Sequence, residues 1–173
     1  MARRCGELAR EGVEFILVRE KQLSAGELAE VCREVLRVVR ASGAATKVLL
    51  AGRLDVAVAV GADGVNLSSG SGELTAAQVR ELMPGAFVSV SCHSLADVAR
   101  ARDSGADAVL FGPVFGKTVD GVEVVPRVGL EALREACGMG ISVIALGGVS
   151  AGRVEACVGA GAVGVAGIRM FFR

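Results

Sequence analysis

A chain of 173 residues with 19 Lys+Arg against 19 Asp+Glu, one His and a formal net charge of +0 has the length of one domain with a sizeable core. Its 52% hydrophobic content at zero charge excludes intrinsic disorder, and the lack of Trp, Tyr and any basic excess argues against a nucleic-acid partner. No apolar run nears the ~18 residues of a membrane span, no apolar stretch follows Met1–Glu7 as in a signal peptide, and five scattered Cys fit free thiols in a reducing cytoplasm.

Helical periodicity opens the chain from about Ala2 to Glu11, and the first strand is predicted over Glu14–Val18. Arg19-Glu20-Lys21 follows. Arg as a fork and Lys as a point charge at a strand end suit an anionic substrate, although such a triplet also reads as a solvated loop. Next comes a helix with a capping box at Ser24-Ala-Gly-Glu27 and an apolar stripe of Leu28, Val31, Cys32, Val35 and Val39. Strands are predicted over Lys47–Ala51 and Gly64–Leu67, then a helix opened by Thr75-Ala-Ala-Gln78, then a strand over Ala86–Val90.

Ser91-Cys92-His93-Ser94 follows that strand. The single His is either catalytic or holds the backbone where the next helix starts, with Ser94 as N-cap. Without a second His or clustered carboxylates a histidine metal site is excluded. A Ser/His/Asp triad is disfavoured because Asp97 is expected along the helix surface. After a strand over Ala108–Gly112, the polar, Gly-flanked segment Gly116–Glu123 reads as a lid loop, and spacing alone does not say whether Lys117 touches substrate. The last strands are predicted over Ser142–Leu146, followed by Gly147-Gly148-Val149-Ser150, and over Gly164–Ile168, which ends in Gly167-Ile168-Arg169.

The phrases Gly61-Ala-Asp-Gly-Val65, Gly105-Ala-Asp-Ala-Val109 and Gly161-Ala-Val-Gly-Val165 each read as a helix-to-strand turn closed by a left-handed Gly. Strand and helix in alternation imply a parallel sheet. Seven such strands behind a helix predict a (β/α)8 TIM barrel that lacks its first strand, one domain over 1–173. The alternative is an open doubly wound sheet, but no Gly-rich fingerprint follows the first strand. Two unpaired strand edges would remain, to be met by a partner chain, such as a second copy, or by an upstream segment. In a barrel, function gathers at strand carboxyl ends, and phosphate sites follow the seventh and eighth strands. Gly147 and Gly148 on one loop and Gly167, Ile168 and Arg169 on the next hold those places. Their backbone N–H groups either form an anion pocket or merely serve a tight turn.

Read in order, Leu17-Val-Arg-Glu-Lys21, Gly61-Ala-Asp-Gly-Val-Asn-Leu67, Val90-Ser-Cys-His-Ser94, Phe111-Gly-Pro-Val-Phe115, Ala145-Leu-Gly-Gly-Val149 and Gly161-Ala-Val-Gly-Val-Ala166 resemble the thiamine phosphate synthase family, which includes thiazole tautomerases. The resemblance runs from about Gly12 to Phe172. It implies a (β/α)8 barrel enzyme of thiamine biosynthesis that joins an aminopyrimidine diphosphate to a thiazole phosphate and releases diphosphate with the help of magnesium. It implies that Arg19, Lys21 and Lys117 neutralise the diphosphate and that Ser91 lines the site. Gly147, Gly148 and Ile168 resemble the thiazole-phosphate loops, and Glu73, counted back from Arg80, stands for a metal-binding Asp.

The family's Asn-Asp pair, however, reads Ala51-Gly52 here, with the following Arg53 retained. Arg169 replaces a small residue and either strengthens phosphate binding or points away. Pro113 is synthase-like where tautomerases carry His, whereas the missing Asn-Asp pair is tautomerase-like. Thiamine phosphate synthesis is the leading expectation, with a thiazole-phosphate tautomerase and a non-catalytic phosphate-binding protein as alternatives.

Overall fold

The computed structural model describes residues 1–70, 72–119 and 122–171, apart from the side chains of 117–125. Two compact units divide the chain: Met1–Leu67 with Gln78–Val88, and Ser68–Ala77 with Ser89–Arg173.

The first unit carries helix α1 (Ala2–Arg10), strand β1 (Phe15–Val18), α2 (Ala25–Ala41), β2 (Lys47–Ala51), α3 (Leu54–Val60) and β3 (Gly64–Ser68) up to Leu67. Of the predicted stripe α2 buries Leu28, Cys32, Val35 and Val39, while Val31 is only half-buried; Ala29 and Leu36 join the buried face. Its start is fixed from both directions, because the Ser24 hydroxyl accepts the Glu27 N–H and the Glu27 carboxylate accepts the Ser24 N–H. The strands pair in parallel, Ile16 opposite Val48 and Leu50 opposite Val65. Gly61 closes α3 in the left-handed region (φ 65°). Two residues on, the Asp63 carboxylate accepts the Val48 N–H at 2.7 Å, while its carbonyl accepts the Phe87 N–H at 3.0 Å. In the phrase Gly61-Ala-Asp63 the Gly turns the chain and the Asp ties the new strand to its neighbours.

Helix α4 (Ala76–Leu82) and strand β4 (Phe87–Cys92) begin in one unit and end in the other. In the second unit β4 pairs in parallel with β5 (Ala108–Phe111), Ser91 opposite Leu110. Strand β5 pairs with β8 (Ser142–Leu146), and β8 with β9 (Gly164–Ala166). Helices α5 (Leu95–Asp103), α6 (Gly129–Cys137) and α7 (Val154–Gly159) lie between them in sequence, α7 behind a 3-10 turn at Ala151–Arg153. Phe111, Leu133, Val98 and Val109 are fully buried.

The strand order β1-β2-β3-β4-β5-β8-β9 never reverses. A doubly wound sheet requires a reversal, so that alternative falls and the barrel-type topology of seven parallel strands stands. Six strand boundaries, among them the end of β3 at Ser68 and the start of β4 at Phe87, and one element differ from expectation. Strand β4 reaches Cys92, so Ser91 lies inside it; β1 begins at Phe15, β5 stops at Phe111 and β9 stops at Ala166, which frees Gly167–Arg169 as a loop. The segment expected to be a lid loop instead holds β6 (Lys117–Val119) and β7 (Val122–Val125), paired antiparallel with an irregularity between Lys117 and Thr118. Alternating β-branched residues there outweigh the flanking Gly.

Candidate functional site

In the second unit Leu146 lies opposite Ala166, so Gly147 and Gly167 leave adjacent strand ends side by side. Gly147 and Gly148 both adopt positive φ (92° and 68°). A Cβ on Gly147 would drive into Pro113, and one on Gly148 would stand 2.8 Å from the Gly116 carbonyl oxygen, so glycine is required twice over. Phe115 N–H donates to the Gly147 carbonyl at 3.0 Å, and Arg153 Nη1 donates to the Gly148 carbonyl at 2.8 Å. In a trans peptide the carbonyl and the next N–H point opposite ways. The Gly148 N–H is therefore turned from Phe115 and the Val149 N–H from Arg153. Neither has an acceptor among the described residues, and the same holds for the N–H groups of Ile168 and Arg169 on the adjoining loop. Ile168 is 78% exposed. Four main-chain donors without acceptors among the described residues thus lie on two neighbouring loops, the chemistry an oxyanion site requires.

The junction between β4 and α5 is also in this unit. His93 Nδ1 lies 2.6 Å from the Gly112 carbonyl, which can only accept, so Nδ1 carries the proton. Asp97 does not run along the helix surface as expected. It is buried, one carboxylate oxygen accepting the N–H groups of His93 (3.0 Å) and Ser94 (2.9 Å) and the other meeting Arg100. Burial alone would push its carboxyl up, but these donors outweigh that and hold it below the usual carboxylate range. With its Ser94 partner it forms a full capping box, which is the structural reading of His93-Ser94. Cys92 is buried, and burial, then the Asp97 charge, push its thiol up to about 12. Ser91 is half-buried on β4.

In the first unit Arg19 and Lys21 follow β1, exposed and without an ionic or hydrogen-bond partner among the described residues. Arg53 is engaged instead: Nε and Nη2 grip the Asp55 carboxylate at 2.9 and 2.8 Å and hold that acid down at about 2. Glu73 is an exposed carboxylate in a loop of the second unit. No three His, Cys, Asp or Glu side chains converge among the described residues, and the end of β2 and the position after it are Ala51 and Gly52. One lone carboxylate does not make a protein cage for magnesium. The Lys117 side chain lies outside the described residues.

Arg153 escaped the reading of the sequence. Its guanidinium lies 4.6 Å from the centroid of the Phe115 ring as well as on Gly148. Its only local signal was a cation three residues into the turn after Ser150.

Sequential parallel strands whose order never reverses define a barrel-type β/α protein, and amides without acceptors among the described residues lie at its last two strand ends. The profile of the thiamine monophosphate synthase family matches residues 1–171, and the chain belongs to that family. It is 36% identical over 166 residues to the putative thiamine-phosphate synthase 2 of Aquifex aeolicus, covering 95% of this chain and 86% of that one. It is 35% identical over 160 residues to the thiamine-phosphate synthase of Methanoculleus marisnigri, covering 91% and 74%. The thiamine phosphate pyrophosphorylase structure from Pyrococcus furiosus superposes with a TM-score of 0.83 at 27% identity, covering 96% of this chain and 78% of that one.

Proposed function

We propose that the protein is a thiamine-phosphate synthase, a transferase of thiamine biosynthesis that joins an aminopyrimidine diphosphate to a thiazole phosphate and releases diphosphate. The observation that carries this reading is the set of amide N–H groups without acceptors at Gly148, Val149, Ile168 and Arg169, on a chain of this family. Those amides, clustered where two adjacent strands end, hold the thiazole phosphate and so orient that ring.

Departure of diphosphate needs cations where negative charge develops. Arg19 and Lys21, uncommitted among the described residues, supply two, with Lys117 a third by family resemblance. Ser91 orients the pyrimidine. Gly167 opens the last loop without the positive φ or close backbone approach of Gly147 and Gly148, and its role is to leave the main chain beside the ligand uncovered. Glu73 takes no part that the described geometry supports, so no step is routed through a metal. Arg53, committed to Asp55, is left out for the same reason.

The test is incubation of the chain with both substrates and magnesium, following thiamine phosphate and diphosphate together. Equal amounts of the two products are expected. Isomerisation of the thiazole alone, or saturable thiazole-phosphate binding without turnover, overturns the reading.

A further inference from the structure

We infer that Arg153 is a positioning residue for phosphate recognition: by holding the Gly148 carbonyl it fixes and polarises the Gly148–Val149 peptide, so that the Val149 N–H faces the phosphate. The inference rests on the reading of the Gly147–Gly148 loop as a phosphate cradle.

Gly148 has no side chain and sits at φ 68°, so nothing of its own prevents its peptide from turning over. A flip would replace the Val149 N–H with a carbonyl oxygen, and an attractive donor would become a repulsive acceptor. Three contacts oppose it. Phe115 N–H holds the Gly147 carbonyl, Arg153 Nη1 holds the Gly148 carbonyl, and the Phe115 ring lies under the Arg153 guanidinium. The Gly147 carbonyl is thus pinned to Phe115 and the Gly148 carbonyl to Arg153, and the N–H of each peptide is turned away from its carbonyl's partner.

A guanidinium on the carbonyl also draws electron density toward the oxygen, which strengthens the N–H at the far end of the same peptide. Arg153 does this across the peptide plane, without touching the anion. Its guanidinium has no carboxylate partner among the described residues, so its charge is left to the Gly148 carbonyl and the Phe115 ring.

The probe is inorganic phosphate titrated into the full chain, followed through backbone amide NMR shifts. In the wild type, Gly148, Val149, Ile168 and Arg169 move together and saturate. In Arg153→Ala the Val149 response shrinks, the Ile168 and Arg169 responses persist, and the phosphate Kd rises about fivefold to twentyfold, as expected when one amide donor is no longer held toward the anion. In turnover the same variant raises KM for thiazole phosphate at nearly constant kcat, and it leaves KM for the dephosphorylated thiazole alcohol unchanged. Arg153→Lys, which keeps the charge and a donor, restores part of the affinity. It also serves should the alanine variant unfold.

If wild-type Gly148 and Val149 ignore phosphate, the cradle itself is wrong. If they respond but Arg153→Ala binds as tightly, or loses both thiazole substrates equally, the role of Arg153 is overturned and the cradle survives.

Discussion

A single β-carbon decides several positions. One added at Gly112 would drive into the Leu146 carbonyl oxygen, and one at Gly64 into that of Phe87. Backbone against backbone cannot relax through a rotamer. Gly112→Ala is therefore expected to destabilise by about 1–3 kcal/mol or more, read as a lower urea midpoint at constant slope. Gly26 is the opposite case: it lies in α2 with open space where a methyl group would stand and no positive φ. Gly26→Ala should raise stability by about 0.5–1 kcal/mol in the same measurement. Cys92, held up at about 12 chiefly by burial, stays a thiol at neutral pH, so iodoacetamide should label it only after unfolding. At this scale the glycines of the site were legible because φ and clearance leave few residue choices. Asp97 and Arg153 were not, because what they hold (two amides and a distant carbonyl) is supplied by the fold.

Helix starts carry the acid sensitivity. The Asp97 carboxylate caps α5 and sits below its ordinary range, so its contribution is complete above the unfolded value near ~3.9 and is lost as pH falls through the folded one. Asp97→Asn should cost about 1–2 kcal/mol at neutral pH and flatten the acid limb of a stability–pH curve. Asp55, lowered to about 2 by its bond from Arg53, acts over a window from pH ~4 down to about 2. Because that pair is largely exposed, Asp55→Asn should cost under about 1 kcal/mol. The strands themselves were readable as short runs of Val, Leu and Ile. Their ends were less so: Ser91 and Cys92 look like a turn, yet the ladder to Leu110 and Phe111 carries them in strand form. Strands β6 and β7 were hidden by polar residues between glycines, a pattern that only cross-strand pairing resolves.

For the molecule as a whole, the alternation of strand with Gly-marked turn declared a parallel sheet, and the unreversed order β1-β2-β3-β4-β5-β8-β9 made it barrel-type. The family was likewise written in the order of its strand-end phrases, and a profile spanning residues 1–171 agrees. The chemistry was less legible, since Ala51 and Gly52 at the end of β2 leave the charge-bearing part of the site sparse. A ligand that binds only the folded chain raises its stability by mass action. Thiazole phosphate at a hundredfold excess over Kd should add about 2.7 kcal/mol, visible as a rise of several degrees in Tm, and the dephosphorylated alcohol should add much less.

The oxyanion cradle is written in main-chain amides, and that governs how it can change. Val149, Ser150 and Ile168 contribute N–H groups or spacing rather than side chains, so their identities are free to drift while the amides stay where they are. What the loop cannot tolerate is a change of length: one residue inserted after Gly148 would rotate every later donor out of line. Alanine at Val149, Ser150 or Ile168 should leave phosphate binding intact, where a single-residue insertion after Gly148 should abolish it.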